Sequence, residues 1–220
     1  IAVRDFSFHV GAGRILAVMG ANGAGKSSTL MSLVGLVERK SGSIVLDGED
    51  ISNSKIETRI SKGLAIVPEG RRIFPDLTIR ENLMVGGHVV ATNIMSEGID
   101  MVYEYFPRLS ERRDEAAGSL SCGVQQMLAM GRALISRPKI LIVDELSLGL
   151  MPKVVDECYV VLAKLKTENI GVVLVEQNTE RAFAVADDVV VLEAGNEIWS
   201  GSAEEARGND ALRASLMDLH

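Results

Sequence analysis

The chain has 220 residues, 47% of them hydrophobic and 24% charged, with a formal net charge of −7. That suits one domain, or one domain carrying an inserted subdomain, with enough chain to bury a sizeable core. The acidic balance argues against a nucleic-acid binder, and two isolated cysteines, Cys122 and Cys158, make neither a disulfide framework nor a zinc site. The two thiols are expected to be free, in a reducing compartment. No apolar run approaches the ~20 residues that span a bilayer, so any link to a membrane is expected to run through a partner. The chain opens on Ile1 and not on Met, which reads as a shortened N-terminus.

Ala2–Val10 alternates apolar and polar residues, which predicts a strand. Arg14–Gly20 is a short apolar run ending in Gly, which predicts a buried strand. From Lys26 the sequence STLMSLVGLV has helical spacing. Ser41–Ile51 reads as a strand with an Asp-Gly turn, and Gly63–Gly70 as a strand stopped by Pro68. Between about Thr78 and Gly118 no buried strand is predicted, only helical pieces around Ile79–Val85 and Ser96–Tyr105. Then the alternation resumes: a helix over Gln125–Ser136, a strand over Lys139–Glu145, a helix over Val154–Glu168, a strand over Gly171–Gln177 and a helix over Glu180–Ala186. Asp188–Gly195 and Glu197–Gly201 pair as a hairpin, and the tail from Ala203 is helical. Strands alternating with helices predict an α/β fold, its sheet mostly parallel and covered on both faces.

Gly20–Ser27 reads GANGAGKS and matches the phosphate-loop pattern G-x-x-x-x-G-K-[ST]. The spacing answers to chemistry. A nucleoside triphosphate brings several negative charges, and backbone N–H groups at a helix N-terminus meet them. The site residues expected here are Gly20, Ala21, Asn22, Gly23, Ala24, Gly25, Lys26, Ser27 and Ser28. Gly23 and Gly25 permit φ values and a backbone approach that a side chain would block. Lys26 supplies a point charge for the β- and γ-phosphates of ATP, and the Ser27 hydroxyl is a Mg²⁺ ligand. Ile140–Glu145 is a buried strand ending in two carboxylates. Downstream of a phosphate loop, Asp144 becomes the candidate metal partner and Glu145 the candidate base for an attacking water.

Leu120–Glu145, LSCGVQQMLAMGRALISRPKILIVDE, resembles the stretch of ABC (ATP-binding cassette) ATPases that joins their signature to the acidic strand. The resemblance runs across essentially the whole chain. It implies a P-loop NTPase (RecA-like) core over residues 1–77 and 119–220, with an antiparallel β portion, and a helical subdomain over 78–118. Ile66–Leu83, Gln125–Leu134 and Val173–Asn178 resemble the ATPase subunits of branched-chain amino-acid importers, which carry Glu at the position of Glu69 and Gln at that of Gln177. By that resemblance Gln177 joins Glu145 and Lys26 as a catalytic residue, and Glu69 belongs to the nucleotide site. Ser121 and Gly123 of one subunit would meet the γ-phosphate held by another, in a head-to-tail dimer whose crossing loop is Ser147–Leu150. The partners implied are a second ATPase subunit, integral membrane permeases and, indirectly, a periplasmic or extracellular solute-binding protein, with no nucleic acid. The location implied is the cytoplasmic face of a bacterial or archaeal inner membrane.

Cys122, Val124 and Leu146 stand where the family usually has Gly, Gln or Glu, and Pro. If residue 122 needs positive φ, Cys122 costs about 1 kcal/mol. Cys122→Gly with Val124→Glu would then raise turnover of the assembled complex several-fold. The aromatic ring that usually stacks on adenine is expected upstream of Ile1, with Phe6 and Phe8 as core strand residues. His9, His88 and His220 suggest no metal site, Arg71-Arg72 reads as a solvated loop pair, and Met127 and Met130 as packing. Two other readings stay open: a catalytically weakened nucleotide-dependent dimerisation module, and a soluble ABC ATPase acting outside transport.

Overall fold

The computed structural model describes residues 2–217, so Ile1 and His220 lie outside the described residues. In chain order the elements are β1 (Ile15–Gly20), α1 (Lys26–Val34), β2 (Val45–Leu46), β3 (Glu49–Asp50), α2 (Ile56–Ser61), β4 (Leu64–Val67), α3 (Ile79–Gly86), α4 (Thr92–Tyr105) and α5 (Pro107–Glu111). After a 3₁₀ turn come α6 (Cys122–Leu134), β5 (Ile140–Asp144), α7 (Pro152–Thr167), β6 (Gly171–Val175), α8 (Thr179–Val185), β7 (Asp188–Glu193), β8 (Asn196–Ser202), α9 (Ala203–Gly208) and α10 (Asp210–Met217). Among the described residues no helix is long and apolar enough to cross a membrane.

Six strands form one sheet in the order β4-β5-β6-β1-β7-β8, and β2 and β3 form a separate antiparallel hairpin. The first five strands of the sheet run parallel; β8 is antiparallel to β7. Successive side chains on a strand point to opposite faces, and both faces are buried here. Ile15, Ala17 and Met19 of β1 join a core with Leu141, Val143, Val172, Leu174 and the apolar faces of α6 and α7. Leu16 and Val18 join a second core on the other face with Ile142, Val173, Val175 and Leu30 and Val34 of α1. Each fully buried Val, Leu or Ile contributes roughly 1.5–3 kcal/mol by leaving water. The predicted packing role of Met127 and Met130 is what the structure shows: both are buried in the first core.

Ala2–Val10 is not a strand. Its alternation is real, since Phe6, Phe8 and Val10 pack on the second core while Ser7 and His9 face outward. Its backbone makes one isolated bridge, Asp5 with Asn196, so a buried stripe formed without a hydrogen-bonded ladder. The helix from Lys26 is also shorter than its apolar spacing suggests. Gly35 takes φ 87° as its cap, and the Leu36 amide turns back to the Met31 carbonyl at 2.8 Å. The buried guanidinium of Arg59 then covers the same helix end, donating to the Ser32 and Leu33 carbonyls at 2.7 and 2.6 Å.

The helix predicted over Gln125–Ser136 begins three residues earlier, because Ser121 caps it through the Val124 amide. Between Thr78 and Gly118 the described chain is helical with no strand, as expected, though α4 starts before Ser96 and α5 is additional. The Thr78–Glu81 capping box sets the start of α3. The turn joining β7 to β8 puts Ala194 at φ 46° and Gly195 at φ 81°, the backbone that two-residue hairpins need.

Asp187 pins the start of β1. One carboxylate oxygen accepts from the Ile15 amide and the other from Lys166 Nζ, both at 2.8 Å. Partial burial pushes its pKa up, but the Lys166 and Ile15 hydrogen bonds outweigh that and hold it below the usual carboxylate value. A depressed folded pKa gives stability that is present above the unfolded value and lost as pH falls through the folded one. Asp187→Ala is expected to cost on the order of 1–3 kcal/mol at pH 7. The gap between the two proteins in urea denaturation will narrow as pH falls below about 4. A gap of the same size at pH 3 and pH 7 would contradict the charged role.

Candidate phosphate-binding and hydrolytic site

Parallel strands end at the same edge of their sheet, and the connections there carry the chemistry. β1 delivers Gly20 and the loop to Lys26, β5 delivers Asp144 and Glu145, β6 delivers Glu176 and Gln177, and β4 leads to Glu69. A cavity of about 480 Å³ opens at that edge, lined by residues that include Asn22, Gly23, Gly25, Lys26, Ser27, Ser28, Glu69, Glu145 and Gln177. Segments more than a hundred residues apart in sequence thus share one pocket.

Gly20 has φ 140°, and a Cβ there would stand 2.1 Å from the Leu192 carbonyl oxygen, so only glycine lets the loop leave β1. Gly23 and Gly25 also take positive φ, 82° and 107°. Ala24 is buried, and Ala21 and Gly20 present their carbonyls inward. Lys26, 5% exposed, donates from Nζ to Gly20 O at 2.7 Å and Ala21 O at 3.0 Å. Burial lowers its pKa, and the nearby Glu145 and Asp144 work against that shift. The ammonium is thus braced by the loop that it serves.

Ser27 Oγ lies 3.4 Å from Asp144 Oδ1. The other carboxylate oxygen, Asp144 Oδ2, is buried with no hydrogen-bond partner. An orphaned buried carboxylate oxygen beside a serine hydroxyl is chemically suited to a hard divalent cation. The described residues hold no cluster of three or more His, Cys, Asp or Glu for a metal, so the pair is no closed cage. It matches a cation that takes its remaining ligands from phosphate and water. Burial is also the main cause that raises the Asp144 pKa, with Ser27 opposing and Glu69 adding to it.

Glu145 takes φ 56°, an uncommon conformation for a non-glycine residue. Its Oε1 accepts from Gln177 Nε2 at 2.9 Å, and the same Nε2 reaches Asn22 Oδ1 at 3.2 Å. Burial raises the Glu145 pKa, while the Gln177 hydrogen bond opposes the rise. Such a carboxylate accepts a proton more readily than one in water.

The structure does not bring Ser121 and Gly123 to this pocket. Ser121 is exposed at the start of α6, and Gly123 is buried against α7, where a Cβ would meet Val154 Cγ2 at 2.7 Å. Cys122 is helical and exposed, outside the positive-φ residues. The part of the expected gain from Cys122→Gly that rested on positive φ therefore falls away, since there is no backbone strain to relieve. Val124 and Leu146 are both buried in the core, so their departures from the family pattern are filled by packing. Arg71 and Arg72, read as a solvated pair, do more than that: with Gly70 they form a run of positive φ after Glu69. The Arg72 carbonyl accepts from Arg132, whose guanidinium lies 4.7 Å from the Phe74 ring centroid.

A family model described as ABC transporter matches residues 3–147, about two thirds of the chain. The chain belongs to the ABC transporter family. It is the ATP-binding and ATP-hydrolysing cassette of that family. It is 43% identical to the high-affinity branched-chain amino acid transport ATP-binding protein BraG of Pseudomonas aeruginosa, covering 98% of this chain and 93% of that one. It is 34% identical to the probable branched-chain amino acid transport ATP-binding protein LivF of Archaeoglobus fulgidus, covering 93% of this cassette and 87% of that chain. Identity to the lipopolysaccharide export system ATP-binding protein LptB of Haemophilus influenzae is 31%, over 96% and 88%. A solved ATP-binding subunit of an ABC transporter superposes with a TM-score of 0.85 at 27% identity, covering 99% of this cassette and 91% of that chain.

One residue beside the pocket carried no expectation from the sequence. Glu176 directly follows β6 and is 1% exposed. The available signal was an acidic residue directly after a strand that is buried throughout.

Proposed function

We propose that this cassette drives a branched-chain amino-acid importer, hydrolysing Mg-ATP at the pocket that Lys26, Glu145 and Gln177 line. The observation that carries the hydrolytic part is the Glu145–Gln177 hydrogen bond of 2.9 Å in that pocket. It orients a carboxylate whose burial favours proton uptake toward the space in front of the phosphate loop. Ser27 and Asp144 would hold Mg²⁺, which supplies charge neutralisation for the transferred phosphoryl group. Lys26 and the loop amides bind and orient the phosphates; Gln177 fixes the side chain of Glu145; Glu145 takes the proton from water.

Residues 78–118 form the helical subdomain, inserted between 1–77 and 119–220 of the core. The working unit is a head-to-tail pair. Ser121 and the amides at the start of α6 lie outside the described pocket, and a second cassette is what would bring them to it. Exposed Leu148 lines the pocket, and Met151 nearby is also exposed, which suits cover by a second chain. The pair docks on integral membrane permeases at the cytoplasmic face of a bacterial or archaeal inner membrane, and a solute-binding protein acts from the other side.

The test is reconstitution with the permease subunits that co-purify. Leucine, isoleucine or valine, presented on the matching solute-binding protein, is expected to stimulate ATP hydrolysis and to enter the vesicles. Hydrolysis indifferent to these amino acids, with no uptake, would reject the importer reading and leave the ATPase.

A further inference from the structure

We infer that Glu176 is a positioning residue for hydrolysis: it holds the Ser147 loop and the Gln177 backbone together, and so keeps Gln177 in reach of Glu145. This rests on the ATPase reading of the same pocket. Burying an ionised carboxylate costs several kcal/mol unless hydrogen bonds replace its water. Glu176 receives five of them. Its Oε1 accepts from Ser147 Oγ at 2.6 Å and from the amides of Gln177 and Asn178 at 3.1 and 3.2 Å. Its Oε2 accepts from Tyr159 OH at 3.0 Å and from the Ser147 amide at 3.3 Å. All are neutral donors, and among the described residues no cation forms an ion pair with it.

The donors come from three places: the loop after β5, the buried face of α7, and the loop after β6. Glu145 sits between the first and the third. Ser147 is two residues beyond it, and Gln177, its hydrogen-bond donor, directly follows Glu176. One carboxylate therefore ties down both approaches to a residue that is itself held at φ 56°. The phenol of Tyr159 is pushed well above its usual pKa, by burial first and then by Glu176, so it stays a donor. Leu148, next to Ser147, lines the pocket. The pocket wall and the Gln177 side chain are thus set by the same buried group. An apolar residue at 176 would complete the core of β6 equally well, but it would leave these donors unmatched.

Glu176→Gln is the decisive variant. It keeps the shape and turns one acceptor oxygen into a donor that faces other donors. In the assembled complex, kcat is expected to fall about tenfold with KM for ATP within about twofold, because the loop that binds phosphate is untouched. If Glu176 acts through Gln177, the same change in a Gln177→Ala background moves kcat by less than about twofold. Ser147→Ala removes the shortest of the bonds without altering the buried charge. It is expected to give a smaller loss with the same dependence on Gln177, and it serves if Glu176→Gln does not fold. In the isolated chain, amide exchange at Ser147, Gln177 and Asn178 is expected to quicken about tenfold, with β1 amides unchanged. Equal kcat losses in both backgrounds, or unchanged exchange, overturn the inference. If the unsubstituted complex hydrolyses no ATP, the functional reading fails instead, and the exchange data alone decide the role of Glu176.

Discussion

Glu145→Gln is expected to slow steady-state ATP hydrolysis by the assembled complex at least ~100-fold, the usual scale for loss of a general base. The change is nearly isosteric. The glutamine carbonyl oxygen can still accept from Gln177 Nε2, so the geometry around residue 145 survives. What disappears is a proton acceptor made more basic by burial. ATP affinity is expected to stay within about threefold, because Lys26 and the loop carry the phosphate contacts. An ATP-bound pair should therefore accumulate, visible as a larger species by light scattering when Mg-ATP is present. Turnover above about a tenth of the original would move the base elsewhere. Gln177 could not take its place, since an amide does not titrate near neutral pH.

Lys26→Ala fails at an earlier step. Its Nζ is the only side-chain cation lining the pocket among the described residues. A charged hydrogen bond contributes ~1.5–3 kcal/mol, so the Kd for ATP is expected to rise about 10- to 100-fold, with hydrolysis lost at ordinary ATP concentrations. The substitution also removes the donor to the Gly20 and Ala21 carbonyls, which brace the loop. Thermal melting without nucleotide separates the two effects: a small shift with a large loss of affinity assigns the loss to missing charge. Unchanged affinity by calorimetry would refute the phosphate-binding role. The two variants thus divide the pocket into a binding half and a chemical half, Lys26→Ala losing both activities and Glu145→Gln only one.

The amino-acid pattern alone determined the phosphate loop and the order of the strands and longer helices from β4 onward. Apolar runs such as ILIV and VVVL are too unbroken for a half-exposed strand, so they announce burial on both faces. The phosphate loop is equally legible: its glycines, Lys26 and Ser27 lie within eight consecutive residues. Gly35 was a local signal too, overridden in the reading by apolar spacing that ran on beyond it. Ala2–Val10 shows the limit of periodicity. Alternation reports which side chains are buried, while a strand also needs a neighbour to take its hydrogen bonds, and that neighbour is a matter of tertiary packing.

Tertiary structure alone decided the rest. Glu145 meets Gln177, and Ser27 meets Asp144, because β6 lies between β1 and β5 in the sheet, an order that no local pattern encodes. Residues 69 and 177 could be singled out in the sequence only by resemblance, whereas the sheet puts them in one pocket with Glu145. The conformation at Cys122 likewise follows from where α6 starts, which depends on the Ser121 cap. Glu176 is the sharpest case. A carboxylate after five apolar residues reads as solvent-exposed, and only the convergence of Ser147, Tyr159 and two backbone amides makes its burial affordable. Those donors come from three separate segments, and desolvation of a charge is decided by the sum of its neighbours, which exists only once the chain has folded.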